Sequence, residues 1–361
     1  MVVILLAAAV VVLGDSRTLV LKRADMNQNF MRDGTLTSVL KGNVHFEYDD
    51  AKIHADNAVW YRSRGNARFS GNVEIQIKEQ NLSCRTMRYD RHTKKVIATG
   101  GVDFFDAEKN VRLLAENAVY DLETRNLLVD RKPHLFRYDT TAGDTLEILS
   151  RTLRYFDSTK IAEAGGDVRI SKGVMHAVCS LAYYHANEDR ALLRIEPRID
   201  YDVHEVVGDS VDLVFIEEKL RGISVMRNGS GIYREPNEGD TLVSTLEGDS
   251  LYMAVGADAR LDTIWAYRDA ESTYYAVSNP EEKNQAEGHR MRLAFTDEGI
   301  ADRLFIEGNA KSIYYIEEES EDGLNEASGS SIAVTFRKGK AAYLEFLGDV
   351  RGLYVAGRKK N

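Results

Sequence analysis

Two Gly-Asp-Ser triplets, Gly208-Asp209-Ser210 and Gly248-Asp249-Ser250, are the nearest this chain comes to an activated nucleophile. A catalytic serine needs a sharp turn that presents its hydroxyl, a neighbouring base and an oxyanion-stabilising pair of amides. No Gly-x-Ser-x-Gly elbow, phosphate-cradling glycine loop or dinucleotide fingerprint occurs. Both triplets open the same repeated strand, so they read as strand starts. Eight histidines (45, 54, 92, 134, 176, 185, 204 and 289) show no metal-ligand spacing and fall mostly on polar faces or in turns. Carboxylates such as Asp49-Asp50, and Asp90 near His92, are turn formers before they are acid–base pairs. The residues predict neither an enzyme nor a bound cofactor.

What does recur is structural. A short strand appears nine times, beginning at Ala55, Cys84, Ala115, Ser150, Cys179, Gly208, Gly248, Gly288 and Gly329. Three residues on stand Ala58, Met87, Ala118, Leu153, Ala182, Val211, Leu251, Met291 and Ile332, all apolar. Five residues on stand Trp60, Tyr89, Tyr120, Tyr155, Tyr184, Leu213, Met253, Leu293 and Val334, again apolar. Such self-similarity marks a repeat architecture in which each unit buries its face against its neighbours.

One unit shows the construction. Val44, Phe46 and Tyr48 alternate with His45, Glu47 and Asp49, the period of a strand with one dry and one wet face. The return strand points Ile53 and Ala55 inward, then changes phase at Asp56-Asn57 so that Ala58 and Trp60 face inward. The next pass places Ala67 and Phe69 before Gly71, and Val73, Ile75 and Ile77 after it. An extra residue in the alternation is how a β-bulge or corner looks in sequence. Gly42-Asn43, Gly71-Asn72, Gly100-Gly101, Gly166-Asp167, Gly308-Asn309 and Gly348-Asp349 all sit at this phase change. Glycine reaches backbone angles closed to other residues, and Asn or Asp tolerates them next best. A bend at a fixed place in each pass predicts two antiparallel sheets facing each other along a folded spine. Lys132-Pro133-His134 and Glu196-Pro197-Arg198 replace the glycine corner, and proline inside a sheet marks a bend or break.

The bulk properties agree. The formal charge of -10 argues against a nucleic-acid partner, which needs a basic face. Val2 to Leu13 is an apolar run too short to span a bilayer but sized like a signal-peptide core, although the first Lys or Arg is Arg17. Export is therefore expected. Asp15 to Gly34 reads as polar and irregular apart from Leu19-Val20-Leu21. Cys84 and Cys179 hold the same repeat position three units apart, a separation of roughly 29 Å at sheet spacing, so free inward thiols are expected. Copies are spaced 29, 31, 35, 29 and 29 residues to Gly208, then 40, 40 and 41. We therefore expect a signal-like segment at 1–16, one set of repeats at 17–205 and a longer subtype, continuous with the first, at 206–361. The polar insertions Ser278 to Glu287 and Glu317 to Ser328 read as surface loops.

From Gly42-Asn43-Val44 through Ala55-Asp56-Asn57-Ala58-Val59-Trp60-Tyr61, and again from Gly100 to Tyr120, the chain resembles the organic-solvent-tolerance (OstA/LptA-like) family. These are periplasmic lipopolysaccharide-transport proteins of Gram-negative bacteria. The resemblance covers Leu40 to Tyr184 most clearly, and the longer units resemble extended OstA-like proteins of the Bacteroidetes type. It implies an all-β, elongated V-shaped β-jellyroll of stacked repeats, a periplasmic location and association with the inner or outer membrane. It also implies lipopolysaccharide as ligand through its acyl chains, and edge-strand addition to other Lpt-type β-jellyroll proteins, including the outer-membrane barrel component. The inward columns would then line a lipid groove: Val44, Phe46, Ile53, Ala58, Trp60, Phe69, Val73, Ile75, Met87, Tyr89, Val102, Phe104, Ala118, Tyr120, Leu153, Tyr155 and Tyr184. An open V of apolar side chains suits lipid tails on physical grounds as well.

Two other readings compete. A closed β-solenoid or adhesin-like spacer would fill its core with its own aromatics. A carbohydrate-active β-helix lyase would need clustered carboxylates and basic residues on one surface, and the sequence offers no such cluster.

Overall fold

The computed structural model describes residues 19–359, apart from 49, 140–143, 202–203, 218, 238, 258–259, 318–320 and 338–339. The apolar segment expected to act as a signal therefore lies outside the described residues. Within them the chain forms twenty-six strands and no helix, and every pairing is antiparallel. The protein is all-β, in keeping with a β-jellyroll.

The recurring bend is a bulge of fixed form. Along Thr35–Tyr48 the register runs Lys41↔Asn57, then Val44↔Ala55, so Gly42 and Asn43 stand opposite Asp56 alone. The same two-against-one step places Gly71-Asn72 against Arg85, Gly100-Gly101 against Glu116 and Gly166-Asp167 against Ser180. In the longer repeats it places Arg227-Asn228 against Asp249, Arg268-Asp269 against His289 and Gly308-Asn309 against Ser330. Both residues of each pair are left-handed, with φ of 76° and 43° at Gly71 and Asn72. Two such residues in succession re-aim the strand and raise its twist.

A side chain at the first position would also collide with the neighbouring strand. A Cβ on Gly71 would lie 2.4 Å from a carboxylate oxygen of Asp56, the same oxygen that accepts a hydrogen bond from Asn72 Nδ2 at 3.0 Å. Asn43 repeats the arrangement with Asp25 at 2.7 Å. The proline corners use another device. Arg131 and Lys132, and likewise Ile195 and Glu196, take positive φ, after which Pro133 and Pro197 interrupt the ladder. The strands end at Asp130 and Arg194 and resume at His134 and Arg198.

The bend folds each strand into two arms, so each unit consists of two facing half-sheets. Phe46 lies beyond the corner of its strand, whereas Trp60 and Phe69 lie on the opposite arm. The Phe46 ring nevertheless meets both edge-to-face, at 5.5 and 5.4 Å. Only facing arms allow that contact, and edge-to-face geometry is the favoured one for aromatic pairs.

The chain divides into two compact units, one ending at Asp189 and the other starting at Arg190. The change of repeat length near residue 206 falls inside the second. Two loop expectations need revision. Asn284 to Glu287 and Glu321 to Ser328 are strand, extending Asn284–Phe295 and Glu321–Arg337, so the longer repeats have longer arms. Their polar residues alternate with Ala286 and Ala327, a pattern that a half-wet strand satisfies as well as a loop does. Likewise Met26–Arg32, within a stretch read as irregular, pairs with Thr35–Lys41.

The corner carries a direct test. Gly71→Ala meets both positive φ and the Asp56 contact, and should cost about 2 to 3 kcal/mol in urea unfolding. Gly34→Ala, at φ 70° in an open turn, should cost about 1 kcal/mol.

Candidate functional site

In the first unit the space between the half-sheets is apolar from end to end. The seventeen residues expected to line a groove all belong to one apolar cluster or pack against it. Twelve are buried: Val44, Phe46, Ile53, Ala58, Phe69, Val73, Met87, Val102, Phe104, Ala118, Tyr120 and Tyr155. Five are half-buried: Trp60, Ile75, Tyr89, Leu153 and Tyr184. Most of these five stand two residues beyond the corner-proximal position, towards the mouth of the V, where Leu82 joins them. Register aligns the aromatics in one transverse row: Trp60↔Ala67↔Tyr89↔Val96↔Tyr120↔Leu127↔Tyr155↔Ala162↔Tyr184. Large and small side chains alternate along it, so neighbouring rings interdigitate rather than collide.

The interior is filled by its own side chains. The cavity bounded by Leu82, Val96, Phe104, Leu113, Tyr120 and Leu127 measures about 30 Å³, one water's worth of space. An aliphatic chain would enter only if the half-sheets parted. Burial pushes the Tyr120 phenol up to about 12 and the Cys84 thiol up to about 11. Cys84 and Cys179 are free and buried, and the Cys84 thiol donates to the Thr86 carbonyl at 3.4 Å. A thiol raised that far is no nucleophile at neutral pH.

The second unit has a larger opening. A cavity of about 80 Å³ lies between its half-sheets, floored by Leu246, Leu251, Met253, Ile264, Phe295 and Leu304. None of these residues was singled out from sequence as a site. The signal was present in the aliphatic inward column Leu251, Met253 and Leu293, but that column reads as ordinary core.

The polar residues do not converge on a reaction centre. Asp90 accepts from the amides of His92 and Thr93, both at 3.1 Å, and the Thr93 bond holds its carboxyl below the usual range. Asp106, fully buried, takes Gln80 Nε2 at 2.7 Å and the Lys109 amide at 3.1 Å. Asp209 accepts from the corner residue Asn228 at 3.1 Å, and the following Ser210 begins the strand Ser210–Ile216. Among the described residues no group of three or more His, Cys, Asp or Glu is placed to hold a metal ion. No helix there is long and apolar enough to cross a membrane.

Among the described residues the strands at each outer edge are paired on one side. Val20–Arg23 and Met26–Arg32 pair, among the described strands, only with Thr35–Tyr48, and they expose Phe30 and Met31. Lys340–Leu347 and Arg351–Lys359 pair, among the described strands, only with Glu321–Arg337, and they expose Tyr343, Leu353 and Tyr354.

No protein-family model matches the chain, and no curated protein matches it. Among solved structures it is similar to LptH of Pseudomonas aeruginosa, described as the LptA-homologous periplasmic component of the conserved lipopolysaccharide transport device. Identity is 13%, the TM-score is 0.21, and the match covers 42% of this chain and 92% of that one. A likeness of that size carries no functional weight, so the reading below rests on the chain's own geometry.

On the outer face of the first unit, His45 and His54 are cross-strand partners whose rings stack at 4.3 Å. Burial, and then the neighbouring His54, lower the His45 pKa below 6.5. The unfolded chain therefore takes up this proton more readily than the folded one. Stability is fully present above about pH 6.5 and falls as pH drops through that value towards the folded pKa. Melting at about pH 7.5 and about pH 5.5, above the carboxylate range, should show a smaller acid-induced loss for His45→Asn than for wild type.

Proposed function

We propose that this chain is a periplasmic lipopolysaccharide-binding bridge that carries acyl chains between the facing half-sheets of its repeats. The observation that carries this reading is the unbroken apolar interior from Leu40 to Tyr184, whose mouth is only half-covered at Trp60, Ile75, Leu82, Tyr89 and Tyr184, although Tyr120 and Tyr155 between them are buried. A structural core has no need of a long, half-wet aromatic edge, whereas an acyl chain sliding along the mouth would complete its burial. Burying apolar surface contributes about 25 cal/mol per Å², so each methylene seated there adds about 0.8 kcal/mol.

The exposed outer strands supply the means of joining partners. Unpaired edges invite strand addition, and both edges of this chain pair exposed apolar residues with open backbone. We assign them to docking with other β-jellyroll components of the same transport system, including the outer-membrane barrel.

One observation favours a second reading. The cavity among Leu82, Phe104 and Tyr120 holds only about 30 Å³, as in the filled core of a structural spacer. The two readings part on whether the half-sheets open. A photo-crosslinking residue at Tyr89 or Trp60 should capture lipopolysaccharide in cells, while the outward-facing Arg88 and Glu116 should not. Capture at Arg88 or Glu116 alone, or at none of the four, would leave the spacer reading standing.

A further inference from the structure

The longer repeats carry a second aromatic row, on the half-sheet opposite to the aliphatic column. Register lines up Tyr233↔Ser244↔Tyr274↔Asn284 and Tyr314↔Asn325↔Tyr354, one tyrosine on every second strand, with His204 stacked on Tyr233 and Asn284 accepting from the Tyr315 amide. Each tyrosine stands five residues beyond a left-handed Asn or Asp at the corner: Asn228, Asp269, Asn309 and Asp349. The row therefore lies at a constant depth, near the mouth. Small polar residues separate the rings, so the row is porous where the first unit's row is packed.

Its hydroxyls behave differently from those of the first unit. There, Tyr184 bonds Asp189 at 2.7 Å, in the chain that follows its own strand. In the second unit, Tyr233 donates to the Gly299 carbonyl at 3.1 Å, and Tyr314 donates to the Ala341 carbonyl at 3.4 Å. Gly299 sits in the turn that closes the opposite half-sheet, and Ala341 is the second residue of Lys340–Leu347, a strand of that same half-sheet. The two bonds thus cross the mouth and tie the arms together. Tyr233 is itself braced, stacked on His204 at 4.5 Å and tilted against Phe295 at 5.9 Å.

Beneath the Tyr233 bridge lies the cavity of about 80 Å³. Its floor is apolar and its rim carries His204, Tyr233, Ser244, Thr245, Ser272 and Tyr274. A dry floor with a hydrogen-bonding rim suits an amphiphile whose tail goes in and whose head stays at the mouth. The closed volume is below the roughly 150 Å³ that admits a benzene-sized guest, so entry requires the arms to separate.

We propose that this cavity is a binding site for a single aliphatic chain, latched at its rim by the Tyr233 hydroxyl, with the Tyr314 bond tying the same two arms together further along the half-sheet. The site rests on the lipid-carrier reading and places one station of it in the second unit. The latch works because each bond ends on a backbone carbonyl near the end of the opposite arm. Losing both frees that arm without disturbing the corner, which is fixed independently by its backbone.

The test uses the full chain and cis-parinaric acid, a fluorescent fatty acid, with lipopolysaccharide as competitor. Tyr233→Phe combined with Tyr314→Phe keeps both rings and should speed probe uptake about fivefold for each hydroxyl bond lost. Met253→Trp, which fills the cavity, should abolish this binding phase. Leu251→Phe is a milder filling that keeps the question open to measurement should the tryptophan variant unfold. Competition by lipopolysaccharide identifies lipid A tails as the ligand, and competition by free fatty acid alone identifies a smaller amphiphile. Uptake that is unchanged in the double phenylalanine variant, or that survives both filling variants, overturns the latched site while leaving transport through the first unit intact. Absence of any probe binding, with Tyr89 crosslinking also absent, overturns both.

Discussion

Everything in this fold depends on a pair of consecutive left-handed residues placed against a single residue of the next strand. Without that step a strand of fourteen residues such as Thr35–Tyr48 would run straight, and the repeats would form one flat, half-exposed sheet. With it, each strand becomes two arms and the arms bury one another's apolar faces. The step costs strain at every repeat, because two positive-φ residues in succession are disfavoured. It is offset by the contact it creates: Phe46 reaching Trp60 and Phe69 across the V is available only to a bent strand. Side chains from the neighbouring corner strand, such as Asp25 and Asp56, then brace the bend through Asn43 and Asn72.

The same backbone device gives two different interiors. In the first unit an aromatic row alternating with Ala67, Val96, Leu127 and Ala162 fills the V nearly completely. In the second unit the arms are longer, the inward column is aliphatic, and the tyrosines stand on the facing half-sheet with Ser244, Asn284 and Asn325 between them. The first arrangement leaves an edge half-covered at Trp60, Tyr89 and Tyr184. The second leaves a discrete cavity under the Tyr233 bridge. A lipid path built this way would combine a continuous rail with a gated station, both made by changing side chains on an unchanged corner.

Much of this was legible in the sequence because the period-two alternation and its phase shift are local. Gly42, Gly71, Gly100, Gly166, Gly308 and Gly348 marked the corners directly, and each has positive φ. Arg227-Asn228 and Arg268-Asp269 were missed as corners since glycine is absent there, although the Asn or Asp at the second position was the readable constant. Proline was legible as a departure, and Pro133 and Pro197 do interrupt the ladder while the bend persists. The strand character of Asn284 to Glu287 and Glu321 to Ser328 was obscured by polarity, because arms that reach past the core lose the apolar half of their alternation. The filling of the interior was not legible at all. Whether inward side chains meet or leave a gap depends on arm separation, a non-local quantity. The bonds from Tyr233 to Gly299 and from Tyr314 to Ala341 lie beyond pattern reading for the same reason, since they join residues 66 and 27 apart in the chain.

The central claim is that the arms of a repeat can part to take in a hydrocarbon chain. Spin labels at Arg64 and Glu79, both exposed and on turns of opposite half-sheets in the first unit, report the width of the mouth by pulsed electron paramagnetic resonance. Inserting one hydrocarbon layer should widen that distance by about 4 Å when lipopolysaccharide is added. A distance distribution unchanged at saturating lipopolysaccharide would contradict the account and leave the interior a permanently closed core.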